Sequence, residues 1–349
     1  MKKTKHKKQS KVITDSAQNS FSIQNNDWEP SLPPAFDYMG IYFNDNHQCY
    51  EPPLNRWALA KLPSQNAQHC GILNSRANMI SADYVSGCLS KMDMRAACLN
   101  LIQFGDVGLL KVRNGFGKVV KLVTLSSLYL RKTKDGNFCY IARQSLFDSE
   151  NTKSVIYKAH DVVFIKLYDP MQQMYGTPDY IGGIQSALLN SEATIFRRRY
   201  FANGSHLGFI LYTTDPDITE DMEENIRKSL NNSQGVGNFK SMFVNSPNGH
   251  PDGLKLIPVG DTGKKDEFGT IKNISAQDIL TAHRYPPGLS GVIPQTGSFG
   301  DPLKMRLAYR QDEVLPMQDL IASSINDDRE IAANDALKVQ FKQREIMPK

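Results

Sequence analysis

Cysteine is scarce in this chain and poorly placed for chemistry. Cys49, Cys70, Cys88, Cys98 and Cys139 are odd in number, widely spaced and include no CxxC pair. Neither a disulfide framework nor a paired-thiolate zinc site is therefore indicated. Idle, buried thiols in a reducing cytosol are the plain expectation. No apolar run approaches the ~18 residues of a transmembrane helix, so no such helix is expected, and a membrane is not among the expected partners. The opening residues are basic and then polar, without the apolar core of a secretory signal. The body also lacks an excess of either charge. The formal net charge is +5, but Lys2, Lys3, Lys5, Lys7, Lys8 and Lys11 crowd the first eleven residues with no acidic residue among them. Without that tail the chain is close to neutral, which is weak ground for nucleic-acid binding by bulk charge.

Catalytic signatures are missing too. A P-loop needs GxxxxGK followed by Ser or Thr, so that backbone amides cradle phosphate and the hydroxyl holds magnesium. At Gly263-Lys264 the next residue is Lys265, and Pro258 stands where the first glycine belongs. Gly115-Phe116-Gly117 has no third glycine at dinucleotide spacing and reads as a hairpin turn. The seven histidines (His6, His47, His69, His160, His206, His250 and His283) form no HExxH, HxH or HxxxH pair. Only clustering in space would give them a metal. No GxSxG elbow exists for a serine hydrolase. The acidic run Asp215, Asp217, Glu220, Asp221, Glu223 and Glu224 suggests a two-metal nuclease at first sight. It coincides with a helix start, where carboxylates stabilise the positive dipole end, and it points in several directions. A solvated face or a partner contact fits it better. Arg197, Arg198 and Arg199 spread over about 200° of a helix. Salt bridges and subunit contacts account for them as well as phosphate contact does. No catalytic residue, metal or cofactor is expected.

What is present is a chain of 349 residues with 40% hydrophobic and 22% charged residues, enough for a sizeable core and two or three lobes. Residues 1–35 are polar, charged and without period, and are expected to be disordered. From Tyr38 to Pro63 the chain looks irregular, broken by Pro52, Pro53 and Pro63. A helix is expected from a cap near Ser64 through Ile72 and Met79. A second is expected from Asp93, carrying Met94, Ala97, Cys98, Leu101 and Ile102 and ending at Gly105. LLKVRN, KVVKLVTL, FCYIAR and DVVFIKL then read as strands of a small antiparallel lobe, with turns at Asn114-Gly115 and Asp135-Gly136.

Thr177 and Pro178 look like the cap and first position of a helix running to Asn203-Gly204, roughly 39 Å long at 1.5 Å per residue. Gly182-Gly183 near its start suggests close approach of a neighbour or a bend. GFILYTT, a helix with Met222, Ile226 and Leu230, KSMFVNS and LKLIPV read as a strand–helix–strand–strand unit. Ser275-Ala-Gln-Asp278 resembles a capping box opening a helix that Pro286-Pro287 stops. A glycine-containing loop leads to Asp301-Pro302, again a cap with proline in the first turn. The helix that follows carries Leu303, Leu307, Val314, Met317, Ile321 and Ile325 and should kink at Pro316. Beyond Asp327 the tail is charged and helix-prone, and no repeat is visible.

The segment YGTPDYIGGIQSALLNSEATIFRRRYFANGSHLGFILY resembles the equivalent stretch of PBSX-type phage portal proteins. The resemblance continues, in family order, through LIQFGDVGLLKVRNGFGKVVKLVTLSSLYLRK upstream. Downstream it takes in GVGNFKSMFVNSPNGHPDGLKLIPV, KDEFGTIKNISAQDILTAHRYPPGL and the glycine-rich loop before Asp301-Pro302. It covers about Ser64 to Leu320.

What the resemblance implies is an α+β portal fold: a β-rich wing lobe, two stem helices flanking a small α/β clip, and a kinked C-terminal helix. Residues 1–35 would be the tail, 36–176 the wing, 177–204 the first stem helix (with Arg197, Arg198 and Arg199) and 205–260 the clip. The second stem helix would be 261–289, the tunnel loop 290–301 and the kinked helix with a short crown 302–349. Gln295, Thr296, Gly297, Ser298, Phe299 and Gly300 would belong to the tunnel loop, and Glu220, Glu223 and Glu224 would face the terminase. The implied partners are further copies of the chain in a ring of about twelve, the terminase, the major capsid protein and scaffold, neck and head-completion proteins, and double-stranded DNA in transit. The implied location is a capsid vertex of the virion, with the host cytoplasm during assembly. The short C-terminal region departs from larger portals. A different DNA-binding adaptor for head completion or packaging is the main alternative, and a nuclease or hydrolase whose acids and histidines converge in space is the third.

Overall fold

The computed structural model of the protein describes residues 38–143, 152–202, 209–213, 221, 224–225, 254–258, 265–290 and 301–342. The basic tail, KSMFVNS and the glycine-containing loop lie outside them.

The chain enters through two short strands, β1 (Tyr42–Asn44) and β2 (Cys49–Glu51), where the sequence suggests only irregular backbone. Two helices follow, α1 (Arg56–Gln65) and α2 (Ala67–Ser81). Ser64 is not the cap. Asn55 accepts from the amides of Trp57 and Ala58, and Asn66 ends α1 while accepting from the amide of His69 to open α2. The Ser64 hydroxyl instead donates back to Lys61 O at 2.6 Å. Pro63 lies inside α1, and the carbonyl it leaves unserved, that of Leu59, accepts from Gln103 Nε2 at 3.2 Å. After β3 (Tyr84–Ser86) comes α3 (Lys91–Phe104). Ser90, rather than Asp93, is its cap. The Ser90 hydroxyl accepts from the Asp93 amide at 3.0 Å and donates to the Asp93 carboxylate at 2.6 Å. Gly105 ends the helix as expected, at φ 86°.

Two antiparallel sheets follow. β4 (Asp106–Arg113), β5 (Val119–Leu125) and β9 (Val162–Lys166) form one, in the order β5-β4-β9. β1 and β2 join β6 (Leu130–Thr133), β7 (Phe138–Arg143) and β8 (Thr152–Tyr157) in the other, in the order β1-β2-β6-β7-β8. The three-stranded sheet leans on α3 through Val107, Leu109 and Leu122, all within the main core. A smaller cluster, Leu125, Leu130, Phe138 and Val162, links the two sheets.

The long helix α4 (Ile184–Ala202) begins after a 3-10 turn, Ile181–Gly183, six residues later than Pro178. Thr177 does not cap it, because its hydroxyl is bonded to Asp169 at 2.5 Å. At 19 residues α4 is about 28 Å long, shorter than expected. β10 (Phe209–Thr213) pairs antiparallel with β11 (Leu254–Pro258). The helix α5 (Lys265–Ala282) starts ten residues before Ser275, so the SAQD sequence is helix interior and not a capping box.

Asp301 does cap α6 (Pro302–Tyr309), accepting from the Leu303 amide at 2.9 Å. The break at Pro316 takes the form of a π turn, Arg310–Val314, which widens the helix just before α7 (Leu315–Asn326), where proline occupies the first turn. The tail is less helical than expected. A single turn, α8 (Arg329–Ala332), gives way to β12 (Gln340–Phe341), which pairs with β3. Gly87, at φ 142°, permits this closure, because a Cβ there would lie 2.8 Å from Val339 Cα.

Candidate functional site: the paired long helices and their anchor

α4 and α5 pack antiparallel, and small or polar residues set their distance. A Cβ on Gly183 would sit 2.4 Å from Ala282 Cβ, so close approach is the reason for this glycine, whereas Gly182 faces open space. One turn on, Ser186 donates to Asp278 at 3.2 Å. Asn190, buried between the helices, donates to Lys272 O at 3.0 Å and to Ser275 Oγ at 2.9 Å. Asn66 then donates to Ala187 O at 2.9 Å, tying the pair to the end of α1 and the start of α2.

The base of the pair is fixed by a buried polar cluster. Arg76 on α2 grips Asp179 with two bonds, of 3.0 and 2.6 Å. Its NH1 also lies 3.2 Å from His283 Nδ1, and His283 Nε2 lies 2.9 Å from His69 Nδ1. Arginine can only donate, so His283 Nδ1 accepts and the ring carries its proton on Nε2, donating to His69 Nδ1. His69 in turn carries its proton on Nε2, which has no hydrogen-bond partner among the described residues. The Tyr180 ring stacks on His283 at 4.9 Å and meets His69 edge-on at 4.7 Å, while its hydroxyl donates to Gln103 O. Burial first, then Arg76, holds His69 down to about 4. Burial, with His69, Arg76 and Arg284 adding to it, holds His283 down to about 2. Both rings are therefore neutral at pH 7. Arg284, at φ 50°, links Asp179 (2.9 Å) to Glu313 (2.6 Å) in the π turn, so the cluster joins the helix pair to the broken helix.

A second knot lies where α1, β4 and the Tyr175-Gly176 segment meet. Arg56 and Asp106 are buried and pair at 2.5 Å. Arg56 also donates to Ser127 O and Leu130 O, and Gly176 N donates to Asp106 at 3.2 Å. The backbones of Gly105 and Gly176 touch, since a Cβ on Gly176 would fall 1.8 Å from Gly105 O.

The residues singled out from sequence fare unequally. Arg197 and Arg198 are exposed on α4 and Arg199 is half-buried, spread around the helix as their spacing requires. Glu224 is helical and exposed, while Glu220, Glu223 and Gln295 to Gly300 lie outside the described residues. Cys49, Cys88, Cys98 and Cys139 are buried free thiols, and Cys70 is half-buried. Among the described residues no three His, Cys, Asp or Glu side chains are grouped to hold a metal. His69 and His283 do meet in space, but with an arginine beside them. An open cleft of about 540 Å³ beside the anchor is lined by Tyr38, Asp169, Met171, Asp179, Arg284 and Glu313, among others. Its carboxylates at Asp169, Asp179 and Glu313 are all engaged by neighbours.

A framework of two long helices braced at one end, with a β lobe on one side and a broken helix on the other, can now be set beside known proteins. The sequence model of the phage portal protein family matches residues 90–348. A probable portal protein of Haemophilus phage HP1 (strain HP1c1) is 64% identical over 335 residues, 95% of each chain. The chain belongs to the phage portal protein family. A probable portal protein of Escherichia phage P2 is 33% identical over 278 residues, 79% of each chain. The fold of this portal family member agrees with solved structures at low identity. A chain from the neck of a native gene transfer agent particle, computed with C12 symmetry, superposes with a TM-score of 0.59 at 14% identity, covering 89% of both chains. An HK97 family phage portal protein from Corynebacterium diphtheriae gives a TM-score of 0.52 at 13% identity, covering 78% of this chain and 91% of that one. The α+β portal fold expected from the sequence therefore holds. The match is to the portal family, and the finer PBSX-type resemblance rests on motif order alone.

The anchor residues His69, Arg76, Asp179 and His283 escaped the sequence reading. Only the Gly182-Gly183 pair pointed to a close helix contact nearby.

Proposed function

We propose that this chain is a structural subunit, without catalytic activity of its own, of a head-to-tail ring at one capsid vertex through which double-stranded DNA enters and leaves. The observation that carries this is the 64% identity over 95% of the chain to a probable portal protein. Ring closure with about twelve copies follows the C12 symmetry of the similar neck chain. In this reading the wing is 36–176, α4 and α5 are the stem, and 205–260 is the clip. Residues 290–301 form the tunnel loop, and 302–349 the broken helix with a short crown.

A channel around moving DNA must not hold it. Each neutralised phosphate adds salt-sensitive affinity, so a near-neutral body suits sliding better than a basic one would. Hydrolysis of ATP falls to the terminase, in keeping with a sequence that carries no P-loop. The clip, with Glu220, Glu223 and Glu224, faces that motor and later the neck proteins. The major capsid protein and scaffold surround the ring during assembly in the host cytoplasm.

Light scattering followed by negative-stain imaging of the purified chain tests the reading. Rings of about a dozen copies with a central hole are expected, and a compact small oligomer without a hole would overturn it in favour of an adaptor. At finer grain, substitution of Phe299 or Gly300 should impair packaging while rings persist, and normal packaging would remove the loop assignment. Charge reversal at Glu220, Glu223 and Glu224 should weaken terminase capture in a pull-down, and undiminished capture would remove the docking assignment.

A further inference from the structure

We propose that the two free edges of the five-stranded sheet meet between neighbouring copies of this chain, β8 of one subunit adding to β1 of the next. The proposal rests on the ring reading and names the contact that closes it.

An edge strand presents a row of unpaired N–H and C=O groups, and proteins guard such edges with charge, proline, bulges or a covering segment. The middle of β8 carries no such guard. Ser154, Val155 and Ile156 are exposed in succession, with Val155 at 48% and Ile156 at 65%. Successive side chains point to opposite faces of a sheet, so both faces of this edge are apolar and wet. A strand solvated on one face needs only alternate apolar residues; two in a row at an edge would each gain a cross-strand neighbour, one on either face, when a further strand is added. Among the described residues no strand pairs with the outer side of β8 or of β1. At the far edge, Tyr42 is also exposed.

Direction and charge select the partner. All four pairings in the sheet are antiparallel, so the first and fifth strands run the same way. Copies related by a ring rotation would bring β8 beside β1 in parallel, a heterologous contact that repeats at every boundary. A two-fold dimer would instead set β8 against β8 in antiparallel fashion, so that Lys158 of each copy meets a strand whose sequence, TKSVIY, holds a lysine and no acidic residue. Like charges facing each other across strands are destabilising. In the parallel arrangement exposed Lys158, just past the end of β8, comes to the end of β1, where exposed Asp45 follows Asn44. Five strands about 4.8 Å apart span about 24 Å, so twelve copies joined edge to edge make a belt about 290 Å round and about 90 Å across.

The test compares the full-length chain with the double variant Val155→Lys/Ile156→Lys, by light scattering and negative stain. Both positions are exposed, so the variant should keep the circular dichroism and melting temperature of the monomer. The concentration for half-assembly is expected to rise at least tenfold. Asp45→Lys should weaken rings in the same way, and adding Lys158→Asp to it should restore them, a rescue that loss of folding would not give. Rings of unchanged mass and stability in the double variant overturn the proposal. A wild-type chain that stays monomeric at every salt and protein concentration overturns the ring reading and takes this contact with it.

Discussion

Arg56 and Asp106 lie side by side in the interior, and their partners are backbone carbonyls, a backbone amide and each other. His69 and His283 are just as buried, but both are neutral, and their contacts run through Arg76 to Asp179 and on to the π turn. The first knot is a buried salt bridge joining the β lobe to the helices. The second is a chain of neutral rings that ends on a charged pair and braces the long helices. The two knots solve the same problem, burying polar groups where elements cross, but they fail under different conditions. An ion pair fails when one partner is removed, because the other is left as an uncompensated charge. Neutral histidines fail when protons are supplied.

The largest effect should come from breaking the ion pair on one side. Arg56→Met should lower unfolding stability by about 3–5 kcal/mol, read from the denaturant midpoint, because Asp106 then keeps its burial and loses its cation. The double variant Arg56→Met/Asp106→Leu sharpens the point. It should recover much of that loss, and a double variant as unstable as the single would mean that the carbonyls of Ser127 and Leu130, not Asp106, carry the cost.

Acid separates the knots. Unfolded histidine takes a proton below about 6.5, while folded His69 resists down to about 4. Its contribution is therefore complete above pH 6.5 and is lost as pH falls from 6.5 towards 4, roughly 3 kcal/mol in all. His283, held to about 2, loses stability through the same window and beyond it. Unfolding midpoints between pH 7 and pH 4.5 should fall steeply in the wild type and less steeply in His69→Gln/His283→Gln. An equal slope in both would assign the acid sensitivity to carboxylates. Next in size, Gly176→Ala should cost about 1–3 kcal/mol or more, since the added Cβ meets the Gly105 carbonyl rather than a side chain that can turn away.

The contrast between the knots also explains what could be read from sequence. Gly105 and Asp301-Pro302 were legible because a left-handed cap and a capped proline start are decided within a few residues. Ser64, Asp93 and Ser275 were misread for the opposite reason. Each has the chemistry of a cap, but Asn55, Asn66 and Ser90 lie nearby and win, and Ser275 serves a neighbouring helix instead. Strands of two to four residues such as β1, β2, β6 and β12 are too short to show a period; β2 and β12 are also held by pairing with β6 and β3, which lie far away in sequence. The family itself was legible through the order of many weak motifs. The anchor was not, because His69 and His283 are separated by most of the chain and nothing around either marks it as half of a pair.

The smallest prediction tests one of those misreadings directly. If Ser275 capped α5, its loss would fray the start of a helix and leave α4 untouched. In the structure its hydroxyl accepts from Asn190 inside the helix pair, one turn from the Asn66 contact that ties the pair to α1 and α2. Ser275→Ala leaves Asn190 with the Lys272 carbonyl alone on that side, a loss of about 1 kcal/mol, typical of one buried neutral hydrogen bond. Hydrogen exchange distinguishes the two outcomes. Amides in the middle of both α4 and α5 should exchange faster in the variant, since the contact holds the two helices together, whereas faster exchange confined to α5 near residue 275 would return the serine to a local role.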